Sequence, residues 1–177
     1  SFGIIVNVDL LNAAGYELAD ITNFETLKAV ADDIHANAAT LGFDAFSAAG
    51  LDGSSSWRFS GHLINMPLFY EFRDDGVVEQ PATVTGAYLD NFRNIWDLYI
   101  NNATCEPTMI SSKSAEDARA EFALGEAVFY QNGTWETSGI LEEGDLTEDD
   151  LGMLPIYIGV EGEENQAGSV YAINEDA

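Results

Sequence analysis

The sequence has little positive charge. Six Lys and Arg face 31 Asp and Glu in 177 residues, a formal net charge of −25. Binding to nucleic acid needs clustered Lys and Arg on the phosphates, so a nucleic-acid partner is excluded. Docking on anionic lipid headgroups is disfavoured for the same reason. Cysteine is nearly absent: Cys105 stands alone and forms no internal disulfide. Two histidines, His35 and His62, on separate predicted helices make a zinc site unfavourable. Four prolines and 16 glycines leave no composition for a flexible linker. No apolar run approaches the roughly 18 residues of a membrane span. The motifs for phosphate loops, dinucleotide binding and the G-x-S-x-G nucleophile elbow are all missing. No metal or cofactor is expected.

What is present is the composition of a packed core, with 46% hydrophobic and 11% aromatic residues. A chain of this length buries enough surface for one full-sized domain. Residues 2–8 read as a buried strand. Leu10 to Gly15 reads as a short helical turn. Thr22 or Asn23 caps a helix whose stripe is Phe24, Leu27, Val30, Ala31, Ile34, Ala38 and Leu41, ended by Gly42. A short strand over 43–46 and a Gly- and Ser-rich loop over 48–56 follow. A second helix starts near Ser55 or Ser56, and Pro67 is expected to kink or break it. A third runs from about Gly86 to Asn101, with Tyr88, Leu89, Phe92, Ile95, Trp96 and Tyr99 toward the core. Ser114 caps a fourth, with Asp117 in its first turn. Strands are expected at 127–130, 151–158 and 168–173, and a helix at 133–141. Helices alternating with short strands predict an α/β class.

After Arg119 there is no Lys or Arg, while 14 acidic residues follow. Six of the nine residues from Glu142 to Asp150 are acidic, which reads as a solvated face. The stretch lacks the ligand spacing of a calcium loop. Asp52, Ser54 to Ser56 and His62 are the residue types of a hydrolase triad, but they crowd one helix start, where facing geometry is difficult.

Two aromatic and polar clusters remain. One is Asp52-Gly53-Ser54-Ser55-Ser56-Trp57-Arg58, and the other is Tyr130-Gln131-Asn132-Gly133-Thr134-Trp135-Glu136. A sugar ring packs its C–H face on an indole and needs planar hydrogen-bonding groups around its rim. Trp57 and Trp135 are therefore candidate stacking residues, with Asp52, Arg58, Asn132 and Glu136 as hydroxyl partners. Trp96, inside a helical apolar stripe, reads as core.

At these residues the sequence resembles a family. The run from Glu121 to Trp135 resembles the F-x-x-G-K-A-A-M…G-x-W signature of the extracellular solute-binding proteins of carbohydrate ABC transporters, the relatives of maltose-binding protein. The opening Phe2-Gly3-Ile4-Ile5-Val6-Asn7, then Leu11, Ala14-Gly15 and Phe24-Glu25-Thr26-Leu27, resembles their Y/F-G-x-x-x-N…L…A-G…T-W/F-x-E-L stretch. Gly152-Met153-Leu154-Pro155 and Gly168 to Ile173 resemble two later strands. Glu126 stands where Lys is usual and Phe129 where Met is usual, at positions not expected to touch ligand.

The resemblance implies a type II periplasmic-binding-protein-like fold with a three-layer lobe, a mixed sheet flanked by helices. The whole of 1–177 would be the carboxy-side lobe of a two-lobe protein. Residues 1–8 and 168–177 would be the hinge-crossing strands, with the chain ends side by side. The implied partners are a carbohydrate in the inter-lobe cleft, the missing first lobe of the same chain and ABC permease subunits. The implied place is extracytoplasmic, with a lipid anchor on the full-length protein. Trp135 carries the resemblance best, and the protein is expected not to be an enzyme. Two other readings are a glycoside hydrolase fragment using Asp52 and Glu136 as a carboxylate pair, and a lobe that binds a peptide or polyamine.

Overall fold

The computed structural model describes residues 2–163. The expected strand over 168–173 and the second hinge crossing over 168–177 lie outside the described residues.

Among the described residues four strands form one mixed sheet in the order β2-β3-β1-β4. They are β1 (Phe2–Asn7), β2 (Asp44–Phe46), β3 (Ala127–Gly133) and β4 (Leu151–Leu154). β1 is central and antiparallel to both neighbours, pairing Ile4 with Gln131 on β3 and with Leu154 on β4. β2 runs parallel to β3, with Phe46 opposite Phe129.

Alternation along β1 and β3 splits the core between the two faces of the sheet. Ile4, Val6 and Phe129 pack with Leu27, Ala31 and Ile34 of α2 (Phe24–Ala36), with Tyr70 of α4 (Ile64–Asp74), and with Ile95 and Tyr99 of α5 (Leu89–Asn101). Ile5 and Tyr130 face the other way. They pack on Ala118 and Phe122 of α6 (Ala115–Ala123) and on Ile140 of α7 (Thr137–Glu143). Helices on both faces of a mixed sheet give three layers, as expected.

The local signals act as polar chemistry requires. The Asn23 side chain accepts from the Thr26 N–H and starts α2, and the Ser114 side chain accepts from the Asp117 N–H and starts α6. The stripe expected from Phe24 to Leu41 is divided: α2 stops at Ala36 and α3 (Ala38–Leu41) follows Asn37. The Asn37 amide nitrogen donates back to the Asp33 carbonyl, competing with the helix ladder at that point. Gly42 closes α3 at φ 85°, a left-handed conformation that glycine adopts without strain.

Several expected details differ. Of the kink or break expected at Pro67, a break does not occur: α4 runs through it, with a π-helical segment over Arg58–Leu63 directly upstream. Proline removes the N–H that the residue-63 carbonyl would accept in an α-helix, and a wider turn next to it absorbs the mismatch. Leu89 is 65% exposed rather than on the core face. α5 starts at Leu89 instead of Gly86, and its core contacts begin further along, at Ile95, Leu98 and Tyr99. Trp96 is half-buried and stacks on Phe59 at 4.0 Å, a packing role as expected. β3 extends to Gly133, and β4 stops before Pro155.

Three buried carboxylates tie distant segments together. Glu71 accepts from the backbone N–H groups of Thr85, Gly86 and Ala87 at 2.6–2.9 Å. Glu121 accepts from the Ala48 N–H, the Thr104 hydroxyl and the Lys113 ammonium at 2.7–2.8 Å. Glu163 accepts from the N–H groups of Phe24, Ile158 and Gly159. In a chain with so few cations, backbone amides take the part of counter-ions.

Candidate functional site

The two clusters singled out in the sequence meet at one end of the sheet. β3 ends at Gly133 and passes into a 3₁₀ turn, Thr134–Glu136, that carries Trp135. The π segment carries Arg58 and His62 immediately after Trp57. A π turn bonds residues five apart, so Trp57 and His62 fall on one side of it. Their ring centroids are 4.8 Å apart and edge-on at 61°. The His62 ring also meets Trp135 edge-on, at 5.7 Å and 62°. Phe2 stacks on His62 at 4.1 Å with the planes 6° apart. Trp57, His62, Trp135 and Phe2 thus form one aromatic wall with contributions from β1, the π segment and the turn after β3. Trp135 is 55% exposed and Trp57 half-exposed, so the indoles are open to a ligand.

Gly133 shapes this wall. A methyl carbon at its α position would come within 3.0 Å of Cη2, Cζ3 and Cε3 of the Trp135 indole. The ring can lie over the strand end because no side chain stands there.

The loop before Trp57 is held by Asp52. Its carboxylate accepts from the Ser54 N–H at 2.9 Å, from the Ser54 hydroxyl at 2.6 Å and from the Ser55 hydroxyl. Partial burial pushes the Asp52 carboxyl up, but the Ser54 and Ser55 hydroxyls and amides outweigh it and hold it down at about 2. The Ser54 carbonyl in turn accepts from Trp57 Nε1 at 2.8 Å, which fixes one edge of the indole. The Ser54 hydroxyl oxygen accepts from the Ala115 N–H at the start of α6.

Arg58 lies beneath the wall, 1% exposed. Its guanidinium carbon is 5.7 Å from the Trp57 ring centre and 5.6 Å from that of Tyr130. Among the described residues none of its three side-chain nitrogens has a hydrogen-bond partner. Burial lowers its pKa, while the nearby Tyr130, Tyr99, Glu121 and Glu136 favour the charged form. The cation is held by ring faces rather than by a carboxylate.

Asn132 is 2% exposed and already engaged: its amide nitrogen donates to the Tyr130 hydroxyl at 2.7 Å and its oxygen accepts from the Gly133 N–H at 2.8 Å. The Tyr130 hydroxyl donates to Glu136 at 3.2 Å, and Arg119 lies 3.7 Å from the same carboxylate. Of the six candidates, Trp57 and Trp135 share the wall through His62. Arg58 lies under it, Asn132 and Glu136 form a network through Tyr130, and Asp52 anchors the loop. His62 and Gln131 were not singled out in the sequence as binding residues. Their amide–imidazole contact spans 69 positions, and no local pattern shows it.

The serine, histidine and aspartate near the π segment are not arranged as a triad. His62 Nδ1 pairs with Gln131, and Ser54 and Ser55 bond to Asp52.

The profile of the family described as bacterial extracellular solute-binding protein matches residues 1–175. The chain belongs to that family. Among solved structures, this solute-binding chain is similar to the solute-binding protein RafE in complex with raffinose, at 18% identity and a TM-score of 0.67, over 92% of this chain and 41% of that one. It is similar to the GacH receptor of Streptomyces glaucescens, solved unliganded and with acarbose, at 23% identity and a TM-score of 0.62, over 91% and 38%. It is also similar to BlMnBP1 of Bifidobacterium animalis, the binding protein of an ABC transporter in complex with mannobiose, at 19% identity and a TM-score of 0.59, over 91% and 38%. Comparison with curated protein sequences gave no match. The chain therefore spans about two fifths of the length of these solved proteins, and the likeness to them is one of fold. Among the described residues no helix is long and apolar enough to cross a membrane.

Proposed function

We propose that this chain is the carboxy-side lobe of the substrate-binding component of an ABC importer, and that it captures a sugar or oligosaccharide between itself and a second lobe. The single observation that carries the reading is the aromatic wall, two part-exposed indoles joined through His62 at one end of the sheet. Such a wall suits the C–H faces of a pyranose. The three solved relatives that share this lobe are named with raffinose, acarbose and mannobiose, all carbohydrates.

In this reading Trp135 and Trp57 stack the ligand. Asp52 and Arg58 hold Trp57 from its loop and from beneath, and Glu136, linked to the buried Asn132 through the Tyr130 hydroxyl, offers a hydrogen-bonding group beside Trp135. β1, within residues 1–8, is one hinge crossing. Ligand bridging both lobes favours the closed form, which docks on the permease. The full-length protein works outside the cytoplasm on a lipid anchor. The chemistry is binding without bond breaking. The Asp52 carboxylate, which a glycoside hydrolase reading would pair with Glu136, is taken up by the Ser54 and Ser55 groups of its own loop. A polyamine lobe would line its wall with carboxylates in place of indoles.

The test is a thermal-shift screen of the full-length protein against oligosaccharides, peptides and polyamines. A rise in melting temperature with oligosaccharides alone supports the reading. A rise with spermidine or peptides alone refutes it.

A further inference from the structure

His62 is the hub of the wall: it is in ring contact with Phe2, Trp57 and Trp135. An imidazole there is not needed to fill space, since a phenyl ring could make the same contacts. What distinguishes it is its nitrogens. The Gln131 amide nitrogen lies 3.0 Å from His62 Nδ1. In this orientation of the amide its nitrogen donates and Nδ1 accepts, while Gln131 Oε1 is buried without a hydrogen-bond partner among the described residues. The neutral ring then carries its one N–H on Nε2. Among the described residues no group takes that N–H: the imidazole's hydrogen-bond contact is the one to Gln131. Phe2 covers one face of the ring and the indoles meet it edge-on, so the donor is held in place before ligand arrives. Burial and the Arg58 charge lower the His62 pKa to about 4, which keeps the ring neutral near pH 7.

We propose that His62 is a specificity-determining residue of the wall, whose Nε2–H donates to an acceptor oxygen of a sugar stacked on Trp57 and Trp135. The inference rests on the stacking reading above and narrows it to sugars with a hydroxyl or ring oxygen placed over the gap between the two indoles. A polar group in an otherwise aromatic wall discriminates more sharply than the rings do, because an analogue lacking the matching oxygen leaves it unpaired.

The experiment uses the full-length protein and the tightest sugar from the oligosaccharide panel, with its series of singly deoxygenated analogues. His62→Phe keeps a ring against Phe2 and the indoles but has no N–H. His62→Gln keeps a donor. The expected result is roughly 3- to 10-fold weaker binding by H62F, partly restored in H62Q. One deoxy position should weaken the wild type by a similar factor and leave H62F unaffected, the signature of a direct pair. Nitrogen NMR of the ring in the wild type should show the proton on Nε2. Equal losses for every analogue in wild type and H62F overturn the inference while leaving stacking intact, as does a proton found on Nδ1. No binding of any sugar to the wild type overturns the stacking reading, and this one with it.

Discussion

Gly133→Ala separates the wall from the fold that carries it. The backbone at Gly133 is extended, φ −102° and ψ 166°, so alanine fits it without strain. Replacing glycine in a strand removes unfolded-state freedom, so stability should be unchanged or raised by about 0.5 kcal/mol. The added methyl carbon, however, falls inside 3.0 Å of three atoms of the Trp135 indole, where ordinary contact starts near 3.4 Å. The half-exposed ring is the part free to move, and it must withdraw by about 1 Å, enough to forfeit a quarter to a half of each dispersion contact it makes. A sugar–indole stack is worth about 1–3 kcal/mol by analogy with base–aromatic stacking. Losing a quarter to a half of it weakens binding by about 1.5- to 13-fold. Calorimetric titration of full-length G133A, with a melting curve as control, checks this. Affinity equal to or tighter than that of wild type would refute the reasoning.

Other consequences can be measured on the same protein. Glu121→Ala strands the buried Ala48 N–H and leaves Lys113 without its carboxylate. It should cost about 3 kcal/mol and lower the melting temperature by roughly 6–12 °C in a calorimetric scan. Arg58→Met keeps the buried stem and removes a cation whose nitrogens have no hydrogen-bond partner among the described residues. Chemical denaturation should find it as stable as wild type or more so, whereas Arg58→Ala leaves a cavity and should lose about 2–4 kcal/mol. His62 binds its proton more weakly folded than unfolded, about 4 against an ordinary 6.5. Unfolded chains therefore take up more protons between those values, so its contribution is complete above pH 6.5 and declines as pH falls toward 4. The ring is part-exposed, which limits the loss to roughly 1–2 kcal/mol. Denaturation of wild type and H62F at pH 7 and pH 4.5 should show the wild type losing more by about that amount.

The elements readable in the sequence are those set by neighbouring residues. Asn23 and Ser114 cap helices because their side chains reach an N–H three positions on. The stripe from Phe24 to Ile34 is one buried face. The G-x-W turn at Gly133 to Trp135 puts its indole at the surface. What stayed hidden depends on distance along the chain. Glu121 reaches back 73 positions to Ala48, and Glu163 reaches 139 positions to Phe24. Either glutamate reads in the sequence as one more solvated acid. The π segment is equally silent, because Trp57, Phe59, Leu63 and Met66 fit an ordinary helical stripe. Only the wider turn brings His62 beside Trp57, and only β3 supplies Gln131 to fix it. Trp57 and Trp135 were legible as surface aromatics, but the residue that joins them was not.

The most direct measurement is tryptophan fluorescence of the full-length protein titrated with an oligosaccharide that stabilises it, in the presence of a collisional quencher. The account predicts that saturating sugar shields an indole from quencher in the wild type, and that Trp135→Ala abolishes both the shielding and most of the affinity. A saturable sugar that leaves quenching unchanged, and that W135A binds as tightly as wild type does, would contradict it.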